Sequence, residues 1–452
     1  MIIKNGRIAL PGATDFQRFD LEIKQGKITR IGTGLSGPDQ LDATDLMVIP
    51  GGIDPHVHFN EPGYTVREDF YHGSCASAAG GITTIIDMPC TSIPPVTTLQ
   101  NLQQKLEIVG QRSVIDFGFY GGISSQSYAE GFPENMRDLS DYVLGYKTYF
   151  ISGMESFGHL NSFQFLQVLK TAENINRPIL LHAEDLDTVR IAEAREKGKG
   201  TGWDNYYRSR PESAEIIAVE RAIDLVKQSK AQLHIVHLST AEAASLLKGD
   251  PQISGETAPH YLEFNYLDLE RIGGALKTTP VVKSPGNAEE LWNLLRKGII
   301  DFVASDHAPA PANQKNTGSA WTDYAGIPGA STLLPYMISE GLFKRGMSLD
   351  RFLKIIAENA ARRYGLFARK GAIAVGNDAD LVLVDSDAQW RVHGRDFYSK
   401  GKVTPFEDMV FKGRIVKTIL RGEIIYDCEN GICVSPGFGR FLKPDEVNFH
   451  AG

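Results

Sequence analysis

Two histidines separated by one residue, His56 and His58, are the first residues whose type and spacing indicate chemistry. The apolar run from Leu46 to Ile49 leads into them, so the sequence predicts that the pair lies near the end of a strand. Residues two apart on a strand point to the same face, so both imidazoles would project together and could bind a metal ion. An isolated pair of this kind is about as often a coincidence as a metal site.

Four more residues able to hold a metal follow similar apolar runs. They are Lys147, His182, His237 and Asp306. Neutral imidazoles and carboxylates suit zinc and similar divalent ions, and a site with several of them can hold two ions. A protonated lysine cannot bind a cation, so Lys147 taken alone would be a lysine with a buried stem and a solvated head, or one in a salt bridge. Its uncharged amine could instead add CO2, and the two oxygens of the resulting carbamate could bridge two ions.

Strand-like apolar runs alternate with helical periodicity through the middle of the chain, which predicts repeated βα units. The eight predicted strands are 48–58, 83–88, 114–119, 142–149, 178–182, 233–238, 253–257 and 301–306. Predicted helices include 213–230, 287–296 and 349–364. Eight such units make an α/β fold of the (β/α)8 TIM-barrel type. The carboxyl ends of its strands form the active face, and all six candidate ligands fall there.

Both ends of the chain carry short β-type runs separated by turn residues. These runs predict a small β-sandwich domain built from residues 1–50 and 370–452. The barrel, residues 51–369, would then be inserted between the two halves of that domain.

The composition argues against several classes of partner. The 452 residues include 47 basic and 55 acidic ones, for a net charge of −8, and no dense basic cluster points to nucleic acid or a membrane surface. No run reaches the ~20 apolar residues of a membrane span, and the first residues lack the apolar core of a signal peptide. Four irregularly spaced cysteines favour a reducing compartment. We therefore expect a cytoplasmic protein that acts on a small molecule.

Longer motifs make the site more specific. They are DPHVHFNEPG at 54–63, AGGITT at 79–84, DMP at 87–89, PHY at 259–261 and SDHAP at 305–309. On these motifs, and over nearly its whole length, the chain resembles the cyclic amidohydrolases, a family that includes dihydroorotase, allantoinase, hydantoinase and dihydropyrimidinase. The resemblance implies hydrolysis of a cyclic amide and a homo-oligomer.

The resemblance also implies a role for each candidate ligand. His56 and His58 would bind one metal ion, with Asp306 completing that site. His182 and His237 would bind the second ion. Carboxylated Lys147 would bridge the two ions, which are expected to be Zn2+. Asp306 would also be the general base, taking a proton from the attacking water and passing it to the leaving ring nitrogen.

The remaining histidines are not predicted to bind metal. His234 has the wrong strand parity to point with His237, and His307 is expected to point away from the site. Scaffold or surface positions are expected for His72, His159, His393 and His450. The family motif places His260 near the site without making it a ligand.

Substrate contacts are predicted from family pocket positions. Dihydroorotases hold a substrate carboxylate with an Arg, an Asn and a His at three positions where this chain has Asn60, Cys90 and Ala310. A buried carboxylate without those donors would be poorly paired, which counts against dihydroorotate. Thr279 is the fourth candidate substrate contact.

Allantoinases match the chain better at its first motifs, because they carry His-x-Asn-Glu-Pro-Gly and tolerate a small or apolar residue after Met-Pro. Trp321 matches their Trp-Gly-Gly-Ile segment, except that residues 322–325 separate it from Gly326. Dihydropyrimidinases and hydantoinases place a Tyr five residues after the bridging lysine, where this chain has Ser152. Ring-opening of allantoin to allantoate is therefore the leading prediction. The alternatives are a dihydroorotase, a hydantoinase or dihydropyrimidinase, and a non-catalytic scaffold relative.

Overall fold

A computed structural model describes residues 1–248 and 250–444. The strands are β1 (Ile2–Ile8), β2 (Gln17–Lys24), β3 (Lys27–Gly32), β4 (Gln40–Asp42), β5 (Met47–Pro50), β6 (Gly52–Val57), β7 (Ile82–Asp87), β8 (Asp116–Phe119), β9 (Gly121–Gly122), β10 (Tyr146–Tyr149), β11 (Ile179–His182), β12 (Leu233–Ile235), β13 (Ile253–Thr257), β14 (Phe302–Val303), β15 (Leu381–Arg391), β16 (Val410–Leu420), β17 (Glu423–Asp427) and β18 (Gly431–Ile432).

The α-helices of the same residues are α1 (Phe70–Ala79), α2 (Leu99–Val109), α3 (Ser125–Gly131), α4 (Glu134–Leu139), α5 (Ser162–Ala172), α6 (Leu186–Lys197), α7 (Trp203–Ser209), α8 (Glu212–Val226), α9 (Ala241–Ser245), α10 (Pro259–Glu263), α11 (Tyr266–Ile272), α12 (Asn287–Lys297), α13 (Ala312–Lys315), α14 (Leu333–Tyr336), α15 (Leu349–Leu353) and α16 (Asn359–Arg363). The predicted helix 349–364 is continuous, but its middle, Lys354–Glu358, is π-helical. None of these helices is long and apolar enough to cross a membrane.

Strands β6 to β14 form the barrel, and all of their pairings are parallel. Strand β8 pairs with β7 and β9 pairs with β10, so these two segments are halves of one barrel strand interrupted at Tyr120. The barrel closes where Val57 bridges His307 and the His58 N–H donates to the His307 carbonyl at 2.8 Å. Eight parallel strands alternating with helices confirm the predicted TIM-type barrel.

The other nine strands form one sheet, in the order β18-β17-β16-β15-β5-β1-β2-β3, with β4 beside β1. Strands from both ends of the chain therefore build the second part of the fold, around a small apolar cluster that includes Leu21, Val48 and Leu383. The proposed domain limits at residues 50 and 370 stay a prediction.

The predicted strand 48–58 is wrong as a single element, because Gly51 divides it. Strand β5 pairs with β1 and β15 in the nine-stranded sheet, whereas β6 pairs with β7 in the barrel. A Cβ at Gly51 would lie 2.2 Å from Thr83 Oγ1, so only glycine fits where the chain passes from one sheet to the other.

Several barrel strands are shorter than predicted at their carboxyl ends. Strand β12 ends at Ile235 and β14 ends at Val303, so His237 and Asp306 lie beyond the ladder. Both residues have positive φ, 40° and 49°, which no regular strand contains.

Candidate metal centre

The first group of predicted ligands comes together at the carboxyl ends of β6 and β14. Asp306 Oδ1 lies 3.2 Å from His56 Nε2 and 3.3 Å from His58 Nε2. The three ligand atoms lie within 4.8 Å of one another, and both histidines are buried. Two imidazoles and a carboxylate at this spacing can hold one divalent ion.

The second group lies beside the first. His182 Nδ1 is 2.9 Å from His237 Nε2, so both nitrogens point at the same small volume. The ring centroids of His56 and His237 are 5.4 Å apart, which places the two groups side by side. Two adjacent groups of ligands could hold a pair of ions.

Lys147 lies in the middle of β10 and is fully buried. Among the described residues, its Nζ has no hydrogen-bond partner, and it lies 4.9 Å from the centroid of the Tyr149 ring. Burial lowers the pKa of Lys147 to about 8, although Cys90 and Asp306 partly oppose this shift. A lysine that loses its proton this readily has the neutral amine that carbamate formation requires.

Left-handed backbone occurs at three positions of this centre. Asn60, His237 and Asp306 have φ values of 59°, 40° and 49°. Such values are uncommon for residues other than glycine, cost free energy and cluster at functional sites. Here they turn side chains inward just past the end of a strand.

The donor set fits metal ions. In the described part of the chain, His56 Nε2 and Lys147 Nζ are buried without a hydrogen-bond partner. Burial lowers the pKa of His56 and of His237, which leaves both rings neutral and able to bind a cation. Burial alone would raise the pKa of Asp306, but the neighbouring histidines hold it well below its usual range, so the carboxylate is ionised.

Glu256 on β13 orients the first group and was not predicted. It contacts His56 Nδ1 through Oε1, while its Oε2 lies 3.2 Å from His234 Nε2. His234 Nδ1 in turn lies 2.7 Å from Ser254 Oγ. A carboxylate inside a five-residue buried strand needs a partner, and this was the available sequence signal. Partners of this kind fix the tautomer and orientation of a metal-binding histidine.

Glu184 orients the second group in the same way. Its Oε2 lies 2.9 Å from His182 Nε2 and accepts a hydrogen bond from Arg210 Nη1 at 2.5 Å. In the second group, too, a buried carboxylate therefore contacts the ring nitrogen of a histidine that faces away from the site. Arg210 balances the charge of this carboxylate.

The four candidate substrate contacts have different surroundings. Asn60 is fully buried, and neither polar atom of its side-chain amide has a partner among the described residues. Cys90 Sγ lies 3.1 Å from Tyr149 Oη and 3.9 Å from His58 Nδ1. Thr279 Oγ1 is 3.0 Å from Tyr206 Oη. The backbone of Ala310 lies against Gly401.

The remaining histidines lie outside the two groups. His307 points away, since its Nε2 is 3.1 Å from Glu68 Oε2 and its Nδ1 accepts from the Ala330 N–H. His260 is fully buried, neither ring nitrogen has a partner among the described residues, and burial lowers its pKa to about 4. Three more histidines lie away from the two ligand groups. His72 contacts Asp69, His393 contacts Glu407, and His159 is half-buried. His450 lies outside the described residues.

Another buried acidic group resembles a metal site but already contains a lysine. Asp116, Asp378 and Asp380 lie close together, and Lys370 Nζ is 2.8 Å from Asp116 Oδ2 and 2.6 Å from Asp380 Oδ2. The group is therefore an ion-pair network, which we call the Lys370 network.

Comparison with known proteins identifies the family of the chain. The model of the amidohydrolase family matches residues 47–425. The chain is 35% identical to an allantoinase of Rubrobacter xylanophilus over 98% of this chain and 97% of that protein. It is 37% identical to an allantoinase of Deinococcus radiodurans over 95% of each chain.

Among solved structures, the L-hydantoinase (dihydropyrimidinase) from Arthrobacter aurescens is similar, with a TM-score of 0.93 and 30% identity. The similarity covers 98% of this chain and 99% of that one, so it includes both the barrel and the nine-stranded sheet. The family match, the full-length relatives and the clustered ligands lead to one conclusion. The chain belongs to the amidohydrolase family and is a metal-dependent hydrolase of cyclic amides.

Proposed function

We propose that this chain opens the ring of allantoin to allantoate, using two metal ions held by the six clustered residues. The observation that carries the proposal is the convergence of all six side chains at one end of the barrel, from five different strands or the residues just past them. The allantoinases to which the chain is similar match it over nearly their whole lengths, which supports this substrate.

Each ion would have its own ligands. His56, His58 and Asp306 would hold the first ion, because their ligand atoms face one another. His182 and His237 would hold the second. Lys147, as a carbamate, would reach both ions from β10. When bound, the ions would lower the pKa of a water molecule and polarise the amide carbonyl of the ring.

Asp306 would move the proton. Its neighbouring histidines keep the carboxylate ionised, so it can accept the proton of the attacking water. It can then pass the proton to the ring nitrogen as the C–N bond breaks. Glu256 and Glu184 would hold His56 and His182 in orientation during these steps.

Asn60 would bind the amide edge of the ring. A carboxamide offers one acceptor and two donors, which complement the N–H and C=O groups of a cyclic amide. Leaving both groups buried and unpartnered costs free energy, which a bound ring amide would recover. Cys90, Thr279 and Ala310 would form other parts of the pocket wall.

Hydantoin hydrolysis is the second candidate, because the similarity to a solved hydantoinase extends over the whole chain. Dihydroorotate is less favoured, since Asn60, Cys90 and Ala310 replace the donors for its carboxylate. A non-catalytic scaffold would not need six ligands kept in contact distance in a buried centre.

Other parts of the proposal rest on the family resemblance or, for the cellular location, on the composition of the sequence. We infer that the native metal is Zn2+, that CO2 carboxylates Lys147, and that the protein is a cytoplasmic homo-oligomer. All four cysteines are free, as a reducing compartment would leave them.

The test is hydrolysis of allantoin, hydantoin, dihydrouracil and dihydroorotate by protein loaded with zinc in the presence of bicarbonate. We expect the highest kcat/KM for allantoin, loss of activity after chelation, and recovery when zinc returns. Preference for another ring would overturn the choice of substrate. Failure to bind metal would favour the scaffold alternative.

A further inference from the structure

Two loops on the active face of the barrel meet through an arginine between two aromatic rings. Arg67 follows β6, and its guanidinium carbon lies 4.2 Å from the centroid of the Tyr324 ring and 5.2 Å from that of Tyr64. Its Nε donates to Gln314 Oε1 at 2.9 Å. Gln314 and Tyr324 both follow β14, the strand that leads to Asp306. Arg67 and Tyr324 therefore connect the loop that follows the first barrel strand, β6, with the loop that follows the last one, β14.

The backbone holds the Tyr324 ring against the end of the chain segment that carries Asp306. The Tyr324 N–H donates to the Gln314 carbonyl at 2.7 Å, and Lys315 Nζ donates to the Tyr324 carbonyl at 2.9 Å. At Gly326, which has a φ of 140°, an added Cβ would lie 2.3 Å from the Ala308 carbonyl and 3.1 Å from Tyr324 Cε1. The ring thus lies beside the backbone two residues past Asp306.

The phenol is in the protonated form at neutral pH. Burial raises the pKa of Tyr324 to about 12; Arg67 opposes this shift, while Asp306 and Cys90 add to it. The hydroxyl is therefore a hydrogen-bond donor, near enough to Asp306 and Cys90 for charges on both to act on it.

Arg67 is placed to hold the ring. Within the described ranges, no carboxylate lies in ion-pair distance of its guanidinium, so its neighbours are Tyr64, Gln314 and Tyr324. A guanidinium over the face of a tyrosine stabilises the position of that ring. Tyr324 also belongs to residues 322–325, the segment that separates Trp321 from Gly326 in this chain and departs from the allantoinase pattern.

We propose that Tyr324 is a specificity-determining residue whose hydroxyl donates a hydrogen bond to an acceptor group outside the substrate ring, with Arg67 as its positioning residue. The acceptor is a carbonyl or carboxylate oxygen on a ring substituent, such as the ureido carbonyl of allantoin. This inference rests on the proposed hydrolysis of cyclic amides, and it names the part of the substrate that this pair reads.

The test compares two substrates that differ only in the substituent. Allantoin carries a ureido group, and hydantoin is the same ring without it. We expect Tyr324→Phe to lower kcat/KM for allantoin by about tenfold, the loss of one neutral hydrogen bond, and to leave hydantoin within about twofold. Arg67→Gln should shift the ratio of the two kcat/KM values in the same direction.

The matched control is Tyr142→Phe. Tyr142 also lies beneath a cation, with Lys443 Nζ 4.3 Å from its ring centroid, but it precedes β10 at the other end of the barrel. This variant should leave the ratio of the two kcat/KM values unchanged.

An equal fall for both substrates, or no change for either, would overturn the inference and leave the proposed function intact. If the wild type prefers dihydroorotate, the same ratio is measured against dihydrouracil, which lacks the carboxylate, and Tyr324→Phe should again lower only the first value. A wild type that opens none of the four rings would overturn the proposed function and this inference together.

Discussion

Two buried lysines at different ends of the barrel show what pairing a charge does. Lys147 is fully buried in the metal centre, and Lys370 is 2% exposed in the Lys370 network. Among the described residues, Lys147 Nζ has no hydrogen-bond partner, whereas Lys370 Nζ contacts Asp116 and Asp380. The pKa of Lys147 falls to about 8. Burial also acts on Lys370, but Asp380 and Asp116 raise its pKa above the ordinary value.

Arg421 also belongs to the Lys370 network. Its guanidinium contacts Asp116, and its backbone N–H donates to Asp380 Oδ1 at 2.9 Å. Asp116 begins β8, and Asp380 immediately precedes β15, so the network links the barrel to the nine-stranded sheet. A satisfied buried network holds a fold together, whereas unpartnered polar atoms in a buried cluster indicate a ligand site. Lys370 and its carboxylates are therefore expected to stabilise the fold, whereas Lys147 is expected to serve the chemistry of the site.

The largest expected effect is on the catalytic rate. Asp306→Asn should lower kcat by ~10²–10⁴-fold, because an amide cannot take the proton of the attacking water. Some metal should remain bound, and the free energy of unfolding should stay close to that of the wild type. Steady-state kinetics on the preferred ring provides the measurement, with His159→Asn as the control outside the centre. Activity near that of the wild type would rule out the general-base role.

Lys147→Ala tests the unpaired lysine itself. Without the carbamate, the protein should bind fewer metal ions than the wild type and lose activity, since the bridging ligand is gone. Short carboxylic acids added to the assay should restore part of the activity by replacing the lost carboxylate. Metal content measured by elemental analysis decides the outcome. An unchanged metal content would contradict the bridging role.

Lys370→Met tests the paired lysine. It should lower the free energy of unfolding by ~3–5 kcal/mol, because it leaves buried carboxylates without their cation. Metal content of the folded protein should not change. Urea denaturation gives the comparison with Lys27→Met, which removes a more exposed partner of Asp378 and should cost less than about 1 kcal/mol. Equal losses in the two variants would contradict the structural role of the network.

The same lysine sets a pH dependence. A raised pKa in the folded state means that stabilisation by Lys370 is fully present below the unfolded-state pKa and is lost as pH rises through the folded-state value. The contribution of Lys370 should therefore be constant from neutral pH up to about pH 10. The difference in unfolding free energy between the wild type and Lys370→Met, measured at pH 7 and pH 9, should stay the same.

Among these substitutions, the smallest effect is expected at Glu256, which contacts His56 Nδ1. Glu256→Gln should weaken metal binding by roughly 10–100-fold, because the amide no longer supports the orientation and basicity of the ring. Competition with a chelator measures this affinity. The control is Glu263→Gln, since Glu263 accepts a hydrogen bond from Tyr336 away from the centre. An affinity that matches the control would show that Glu256 does not orient His56.

Much of the fold and of the ligand set could be predicted because the signals are local. Short apolar runs that end in His182 or precede Asp306 place those side chains at strand ends without knowledge of any contact. Glu256 was missed because its partner His56 is 200 residues away in the chain. The break at Gly51 was missed for a similar reason, since the contact with Thr83 that requires glycine forms only when β5 and β6 enter different sheets.

The sequence by itself determined the alternation of strands and helices, the residue types at the strand ends and hence the family. Only the tertiary structure decided which charges are paired. Closure of the barrel brings Glu256 to His56 and Arg67 to the loop of Tyr324, while it leaves Lys147 Nζ without a partner among the described residues. The physical reason is that a residue type fixes which bonds a side chain can form. Burial and long-range packing fix whether a partner is present.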